Sequence, residues 1–367
     1  MLSRIEQIIP LQWLGRQLFN REDPAAFFDP LLEKLNPMWV RQYVPAQVSA
    51  IIDETADTRT FVLRPAARWA GFEAGQHVNV GVGIDGVRHN RTFSLSSSPF
   101  QWHSEGTVTL TIKRLPGGLV TNWMHDHLEA GDVIGLGEAF GDFRLPETSE
   151  PALYIAGGSG ITPVLSQLET MADSDYRAPV TLLYFVRTQA DIIGAEKLHA
   201  LRQRWPALTL KIIATAEGEA PEHLNDGHLR QVPDIKGRRC YLCGPEGLMD
   251  EANRLLQEHG IYGENIHSTF FSVPTATLLS DGLGGEVSFS RSGAGVNSDG
   301  DAPLLEIAEA AGLSPRHGCR MGICHQCSCR KTSGTVISRL TGKASGPGEE
   351  TIQLCISVPR GPVTLDL

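Results

Sequence analysis

Apolar and polar residues alternate in short segments between residues 45 and 115, and this period of two predicts β-strands. Turns that contain glycine separate the segments, which favours antiparallel neighbours. The predicted strands are residues 47–52, 60–63, 77–82, 91–95 and 108–113. We therefore expect a small antiparallel β-barrel in this part of the chain.

The pattern changes after residue 150, where continuous apolar runs alternate with segments of helical period. The expected strands are 153–156, 180–186, 208–213 and 241–243, and the expected helices are 162–171, 198–204 and 248–258. Strands that alternate with helices in this way indicate a parallel sheet covered by helices.

Two further units flank these. Residues 8–19 and 27–40 cluster aromatic and aliphatic side chains between prolines, which predicts short amphipathic helices. The end of the chain holds a predicted strand at 286–290, a helix at 303–311 closed by Gly312, and a loop rich in cysteine. The predicted division is an N-terminal helical extension at 1–42, a barrel at 43–149, an α/β unit at 150–273, a linker at 274–283 and a last domain at 284–367.

The composition and net charge of the chain exclude several classes of function. The chain has 367 residues and a net charge of −10, and an acidic surface repels the phosphates of nucleic acids, so we expect no nucleic-acid partner. It lacks an apolar stretch long enough for a membrane-spanning helix and a secretory leader, which predicts a cytoplasmic protein. Its 7 cysteines are too few for a disulfide scaffold in a chain of this length.

The spacing of the late cysteines indicates a metal site. Cys319, Cys324 and Cys327 follow the pattern C-x4-C-x2-C, and Cys355 comes 28 positions after the third, which is the spacing of plant-type [2Fe–2S] ligation. Zinc sites favour pairs of closely spaced ligands and fit less well. A Rieske centre would use two histidines, which four cysteines make unnecessary. Cys329 is read as a small buried residue, with an alternative ligand as the other reading.

A second group of residues suits a flavin. Arg91, Phe93, Ser94 and Ser97 join a cation, an aromatic ring and hydroxyls at the end of a predicted strand. The ring covers the flavin face, the hydroxyls meet its polar edge, and the guanidinium neutralises pyrophosphate. Alone this set is a weak signal. The turn at 117–118 then leads into a helix, and a glycine turn before a helix N-terminus is a ready anion site.

Two further turns follow strands of the parallel sheet. Residues 157–163 read Gly-Gly-Ser-Gly-Ile-Thr-Pro, with Thr162 as the predicted N-cap and Pro163 as the first residue of a helix. Residues 241–245 repeat the change from strand to turn. Because ligands bind at the carboxyl ends of parallel strands, both turns are expected to face one nucleotide. Glycine spacing alone does not make this a dinucleotide fingerprint, and a buried structural cysteine remains the other reading of Cys243.

The order of these motifs over residues 45–367 resembles the ferredoxin–NADP reductase superfamily, in the type that ends in a plant-type ferredoxin domain. The resemblance implies a flavin-binding β-barrel, a nicotinamide-nucleotide domain of parallel α/β fold and a C-terminal β-grasp domain. It also implies catalytic roles for Cys243, Phe93 and Ser94. The implied cofactor-binding residues are Arg91, Phe93, Ser94 and Ser97 for isoalloxazine, Lys113, Gly118, Val120 and Thr121 for flavin phosphates, Gly157, Gly158, Gly160 and Thr162 for nicotinamide-nucleotide pyrophosphate, and Cys243, Gly244 and Pro245 beside the nicotinamide.

The sequence departs from the family pattern at two positions. Phe93 replaces the usual Tyr, which keeps ring stacking but removes a phenolic hydrogen bond to the flavin. Thr269 stands near the place where many relatives have Glu. The glycine turn resembles the FAD type more than the FMN type. Arg187 follows the second strand of the sheet with no carboxylate before Asp191, which favours NADPH over NADH; a surface arginine at a strand end is the alternative.

These sites together imply a relay from NAD(P)H to FAD to [2Fe–2S] to an external metal-containing acceptor, because a flavin takes up two electrons and releases them singly. The extension at 1–42 gives a looser resemblance to reductases of bacterial acyl-CoA or fatty-acid desaturases, and we expect that acceptor, with peripheral contact at the inner face of the membrane through residues 1–40. Helices that only pack on the barrel are the alternative. A soluble aromatic-ring or phenylacetyl-CoA oxygenase is the second acceptor class. A redox sensor that gates partner binding is the competing function.

Overall fold

The computed structural model describes residues 35–41, 43–145, 149–174, 176–218, 221–271, 284–317, 320, 322, 325–340 and 342–367. The predicted helix at 8–19, most of that at 27–40 and the linker lie outside these residues. Pro37–Trp39 forms a 3₁₀ turn, in which the Asn36 side chain accepts a hydrogen bond from Met38 N at 3.0 Å. In the described part of the chain, no helix is long and apolar enough to cross a membrane.

The first sheet is an antiparallel barrel, as predicted, but it has six strands in place of the five predicted. Their order across the sheet is β4-β3-β6-β1-β2-β5, and a bridge between Leu95 and Leu110 brings the two edges together. Helices α1 (Pro99–Glu105) and α2 (Leu119–His127) follow β4 and β5. The strands are β1 (Val44–Thr55), β2 (Thr58–Pro65), β3 (His77–Ile84), β4 (Val87–Ser94), β5 (Val108–Lys113) and β6 (Val133–Phe140).

The second sheet is parallel, with the order β11-β10-β7-β8-β9. Its strands are β7 (Ala152–Gly157), β8 (Val180–Val186), β9 (Leu208–Ala214), β10 (Arg239–Cys243) and β11 (Ile266–Thr269). The helices are α3 (Ile161–Asp173), α4 (Ala195–Arg204), α5 (Asp226–Arg230) and α6 (Glu246–Glu258). Every residue of β7 and β8 is buried, because helices or loops cover both faces of the sheet.

The third sheet is mixed, with the order β13-β12-β16-β14-β15 and a parallel pair formed by β12 and β16. The strands are β12 (Gly285–Phe289), β13 (Ala294–Ser298), β14 (Ser328–Ser338), β15 (Glu350–Gln353) and β16 (Ser357–Leu365), and the helix is α7 (Leu304–Ala310). Gly312 has φ +81° immediately after α7, which agrees with its predicted role as the helix stop. The predicted three-part fold class is therefore confirmed.

One local prediction is wrong. Thr162 is not the N-cap of α3, because the helix begins at Ile161 with Gly160 at the cap, directly after a 3₁₀ turn at Gly158–Gly160. The Thr162 hydroxyl instead donates to the carbonyl of Ser159 at 3.0 Å. The turn and the helix therefore form one continuous unit.

Candidate functional site

The predicted flavin residues lie at the end of β4. Phe93 is half-buried against the barrel core and Ser94 is buried. Arg91 is half-buried, and its pKa is lowered first by this burial and then by the positive charge of Arg320 in the cysteine loop. Arg320, whose sequence position is next to the predicted ligand Cys319, is thus within electrostatic range of Arg91.

Ser97 is placed differently from these three residues. It is fully buried, and its Oγ accepts a hydrogen bond from Thr109 N at 3.0 Å. The neighbouring Ser96 hydroxyl pairs with Thr109 and Thr111 on β5. These contacts connect the segment that follows β4 to β5. Direct contact between Ser97 and the flavin stays a prediction.

The glycine turn at 117–118 carries features of an anion site. Gly117 has φ +71°, and Gly118 stands at the N-cap of α2 without a side-chain cap bond, while α2 contacts β4. Asn122 in the first turn of α2 has a buried Oδ1 without a partner in the described part of the chain. Backbone N–H groups at a helix start, with Arg91 on the adjacent strand, form a donor set that fits the pyrophosphate of FAD.

The remaining predicted phosphate contacts have partners of their own. The Lys113 ammonium lies 3.2 Å from Asp57 Oδ2. Thr121 Oγ1 accepts a hydrogen bond from Leu115 N at 3.3 Å, and Val120 is buried in the barrel core. The structure thus places these residues beside the glycine turn, and their contacts with flavin phosphates stay predictions.

The two predicted nicotinamide turns touch each other. A Cβ atom on Gly160 would lie 2.1 Å from the carbonyl oxygen of Cys243, and one on Gly157 would lie 2.8 Å from Cδ of Pro245. Glycine at 160 allows the two backbones to approach, and glycine at 157 leaves room for the Pro245 ring. The turns after β7 and β10 thus form one edge, as the sequence predicts for a shared nucleotide.

Cys243 is fully buried at this edge, and burial raises the pKa of its thiol well above the usual range. It is therefore a neutral thiol in the folded protein and not a nucleophilic thiolate. Thr269, also buried, is its registered neighbour on β11. The residue next to Cys243 on the neighbouring strand is thus neutral, and its equivalence to the family's Glu stays a prediction.

Tyr184 is a residue of this site that the sequence analysis missed. Its buried hydroxyl donates to Gly158 O at 3.0 Å and accepts from Ile193 N at 3.3 Å. Tyr184 lies within an apolar strand and is flanked by Leu183 and Phe185, so the pattern marks it only as core. The Tyr184 hydroxyl therefore holds the carbonyl group of Gly158, a residue with φ +51°, in place.

Arg187 is exposed at the carboxyl end of β8. The next carboxylate, Asp191, accepts hydrogen bonds from Thr188 N at 3.0 Å and Thr188 Oγ1 at 2.7 Å. Glu217, which the sequence analysis did not consider, accepts from Gln189 N at 2.7 Å. Both carboxylates near Arg187 therefore hold backbone groups of this loop.

Two of the four predicted iron ligands lie in the described residues. Cys327 Sγ and Cys355 Sγ are 3.2 Å apart, well beyond the ~2.05 Å of a disulfide bond. Gly322 N points at Cys355 Sγ from 3.3 Å, as an amide that stabilises a thiolate does. This donor set fits an iron–sulfur cluster. Cys319 and Cys324 lie outside the described residues, so their ligand roles stay predictions.

Cys329 lies in the core of the last domain, and its Sγ is 3.6 Å from the carbonyl oxygen of Arg330. Burial raises the pKa of its thiol. Both observations favour the reading of a small buried residue. In the same domain, the Arg320 guanidinium pairs with the Glu309 carboxylate of α7.

Three protein families match the three sheets. They are the oxidoreductase FAD-binding domain at residues 45–144, the oxidoreductase NAD-binding domain at 154–254 and the 2Fe-2S iron-sulfur cluster binding domain at 290–360. The solved structure of phthalate dioxygenase reductase has the same fold, with a TM-score of 0.63 and 22% identity over 89% of this chain and 98% of that chain.

Curated relatives match almost the whole chain. An NADPH oxidoreductase of Mycobacterium tuberculosis is 31% identical over 92% of this chain and 88% of the relative. The reductase component of the glycine betaine monooxygenase of Pseudomonas aeruginosa is 29% identical over 90% and 98%. One component of the 1,2-phenylacetyl-CoA epoxidase of Escherichia coli is 27% identical over 87% and 95%.

The chain belongs to the ferredoxin–NADP reductase-like oxidoreductases that join FAD-binding and NAD-binding domains to a C-terminal [2Fe–2S] domain. It is an NAD(P)H-dependent oxidoreductase, and its cofactors are FAD, a [2Fe–2S] cluster and NAD(P)H, as predicted. FAD supplies the exchange between hydride and single electrons. Burial keeps the thiol of Cys243 neutral beside the turns that are predicted to hold the nicotinamide nucleotide.

Proposed function

We propose that this protein is the reductase component of an oxygenase and delivers single electrons from its iron–sulfur domain to the oxygenase. The observation that carries the relay is that one chain joins an FAD-binding domain, an NAD-binding domain and a 2Fe-2S cluster binding domain. The proposal for the acceptor is supported by the relatives, whose names refer to a monooxygenase and an epoxidase. This favours the second acceptor class of the sequence analysis over the desaturase.

The roles of the individual residues belong to the same proposal. Arg91, Phe93 and Ser94 hold the isoalloxazine, the turn at Gly118 holds the flavin pyrophosphate, and Cys243 lies beside the nicotinamide. We also propose NADPH as the preferred donor. The exposed Arg187 supports this preference, since the nearby Asp191 and Glu217 carboxylates are already held by backbone N–H groups.

An anaerobic titration tests the relay and the choice of nucleotide. Stepwise addition of NADPH, and separately of NADH, is followed by the absorbance of the flavin and of the iron–sulfur cluster. We expect both centres to be bleached within seconds, with tighter half-saturation for NADPH. Bleaching of the flavin without the cluster would contradict the relay. A redox sensor would also leave the cluster oxidised on this timescale.

The acceptor needs a second assay. The holoenzyme is mixed with NADPH and either a purified soluble oxygenase component and its substrate, or membranes that contain an acyl-CoA desaturase, with cytochrome c as a general acceptor. We expect a kcat/KM for the oxygenase at least about tenfold above that for the desaturase, the ratio that 1.4 kcal/mol of interaction energy gives. Turnover only with the desaturase membranes would overturn the proposed acceptor and restore the first one.

The N-terminal segment is tested in the same assay. The predicted docking role of residues 1–40 falls mostly outside the described residues and stays a prediction. Deletion of these residues lowers turnover with membranes, but not with cytochrome c, if they dock the enzyme. Equal turnover of both proteins with membranes would sink the docking role.

A further inference from the structure

Helix α3 connects the nicotinamide turn to the flavin barrel through a residue in its second turn. Ser166 is fully buried, and its hydroxyl donates to the carbonyl oxygen of Ser97 at 2.6 Å. The Ser166 hydroxyl oxygen also accepts a hydrogen bond from Gly75 N at 3.4 Å. Ser97 is the last residue of the predicted flavin segment, so a single hydroxyl joins the helix to that segment and to a neighbouring barrel loop.

The next residue makes a parallel connection. Gln167 is also fully buried, and its Nε2 donates to the carbonyl oxygen of Phe143 at the end of the barrel unit, at 2.8 Å. Its Oε1 accepts from the hydroxyl of Tyr154 on β7 at 2.8 Å. Gln167 therefore binds the barrel with one end of its amide and the parallel sheet with the other.

The barrel approaches the helix so closely that no side chain fits at the contact. Gly75 has φ +92°, and a Cβ atom there would lie 2.0 Å from Phe143 O and 2.4 Å from Gln167 Nε2. Other hydrogen bonds between the two units, from Ser98 to Asp173 and from Gly194 to Glu54, involve partly exposed groups. The Ser166–Gln167 contact is the buried centre of this interface.

We propose that Ser166 and Gln167 are positioning residues for hydride transfer. Helix α3 begins at the turn that is expected to hold the nicotinamide nucleotide, and Ser97 ends the segment after β4 that is expected to hold the flavin. The two side chains fix these segments relative to each other without touching either cofactor. Because hydride transfer requires the reacting atoms at near contact, a displacement of about 1 Å lowers its rate by up to about 100-fold.

Three variants test this role: Ser166→Ala, Gln167→Leu and the control Thr170→Val. Thr170 lies one turn further along α3, and its hydroxyl donates to Ser166 O at 2.6 Å within the helix. In stopped-flow flavin reduction, we expect Ser166→Ala and Gln167→Leu to lower the limiting rate by at least about tenfold, while half-saturation by NAD(P)H changes by less than about twofold, because orientation and not binding is lost. Thr170→Val retains the wild-type limiting rate.

A second measurement uses the holoenzyme and does not depend on activity. Hydrogen–deuterium exchange of the segment that contains Gly75 is expected to accelerate in Ser166→Ala, because Gly75 N loses its acceptor there. The exchange should not accelerate in Thr170→Val, which keeps this acceptor. The proposal is overturned if Ser166→Ala exchanges as the wild type and keeps its limiting rate. It is also overturned if, in all three variants, the limiting rate falls and the half-saturation concentration rises in proportion to the loss of thermal stability, which a purely structural role would produce.

Discussion

At the scale of single residues, burial sets the chemistry of this protein more than charge pairing does. His77, at the start of β3, has its ring edge-on to Phe140 at a centroid distance of 4.3 Å, and its Nε2 has no partner in the described part of the chain. Burial lowers the pKa of His77 to about 4, against the attraction of Asp142. Like Cys243, His77 is therefore held in its neutral form at neutral pH.

The depressed pKa of His77 predicts sensitivity to acid. As the pH falls from 6.5 to about 4, the unfolded chain takes up a proton at His77 that the folded chain does not, so the folded state loses stability. The free energy of unfolding in urea should drop by about 2 kcal/mol more between about pH 7 and pH 5 in the wild type than in His77→Leu. The control His199→Gln, at an exposed site, should keep the wild-type drop. An equal drop in His77→Leu would contradict this account.

At the scale of elements, periodicity predicted strands well where the pattern was complete. The strand β8 matches its predicted bounds because every residue from Val180 to Val186 suits a strand buried on both faces. Strand β6 (Val133–Phe140) was not predicted, because Gly135 and Gly137 interrupt its apolar run. The cysteine spacing was readable because it is local in sequence. The roles of Ser166 and Tyr184 could not be predicted from the sequence, because their hydrogen-bond partners come from distant segments.

One arginine stabilises the parallel sheet at the amino-terminal ends of its strands. Arg238 is buried, and it donates to the carbonyl oxygens of Pro233 at 2.8 Å and Ala152 at 2.9 Å. In Arg238→Met the buried carbonyl of Ala152 and the part-buried carbonyl of Pro233 lose a donor, so we expect the free energy of unfolding to fall by about 2–4 kcal/mol. The NAD(P)H concentration for half-saturation should not change below the unfolding transition, because the nicotinamide turns lie at the opposite, carboxyl-terminal ends of the strands.

Urea unfolding and a titration with NAD(P)H measure these two effects. Arg202→Met, which removes an exposed arginine from α4, is the matched control and should leave both unchanged. Arg238→Lys should recover part of the stability. Unchanged stability of Arg238→Met would show that water replaces its bonds.

At the scale of the whole molecule, each of the three domains serves one step of the electron relay, and the last step can be removed without the other two. Cys355 lies between Cys327 Sγ and Gly322 N, whereas Cys329 lies in the domain core two residues from Cys327. The domain match at 290–360 covers Cys355 and Cys329 alike, and the geometry agrees with the cysteine spacing in making Cys355 the ligand and Cys329 the core residue. The flavin and nicotinamide units have hydrophobic cores separate from that of the last domain.

Cys355→Ser should therefore uncouple the relay at its exit. Loss of one thiolate ligand lowers bound iron and reduces cytochrome c turnover by at least about 100-fold, while reduction of ferricyanide, which accepts electrons from the flavin, stays within about twofold of the wild type. Iron content, flavin absorbance and both turnover rates are measured on the same preparation. Cys329→Ser is the matched control, and it should keep its iron and both activities, because its thiol packs in the core instead of binding metal. Full iron content in Cys355→Ser, or its loss in Cys329→Ser, would reverse the assignment of the fourth ligand and with it the path by which electrons leave the protein.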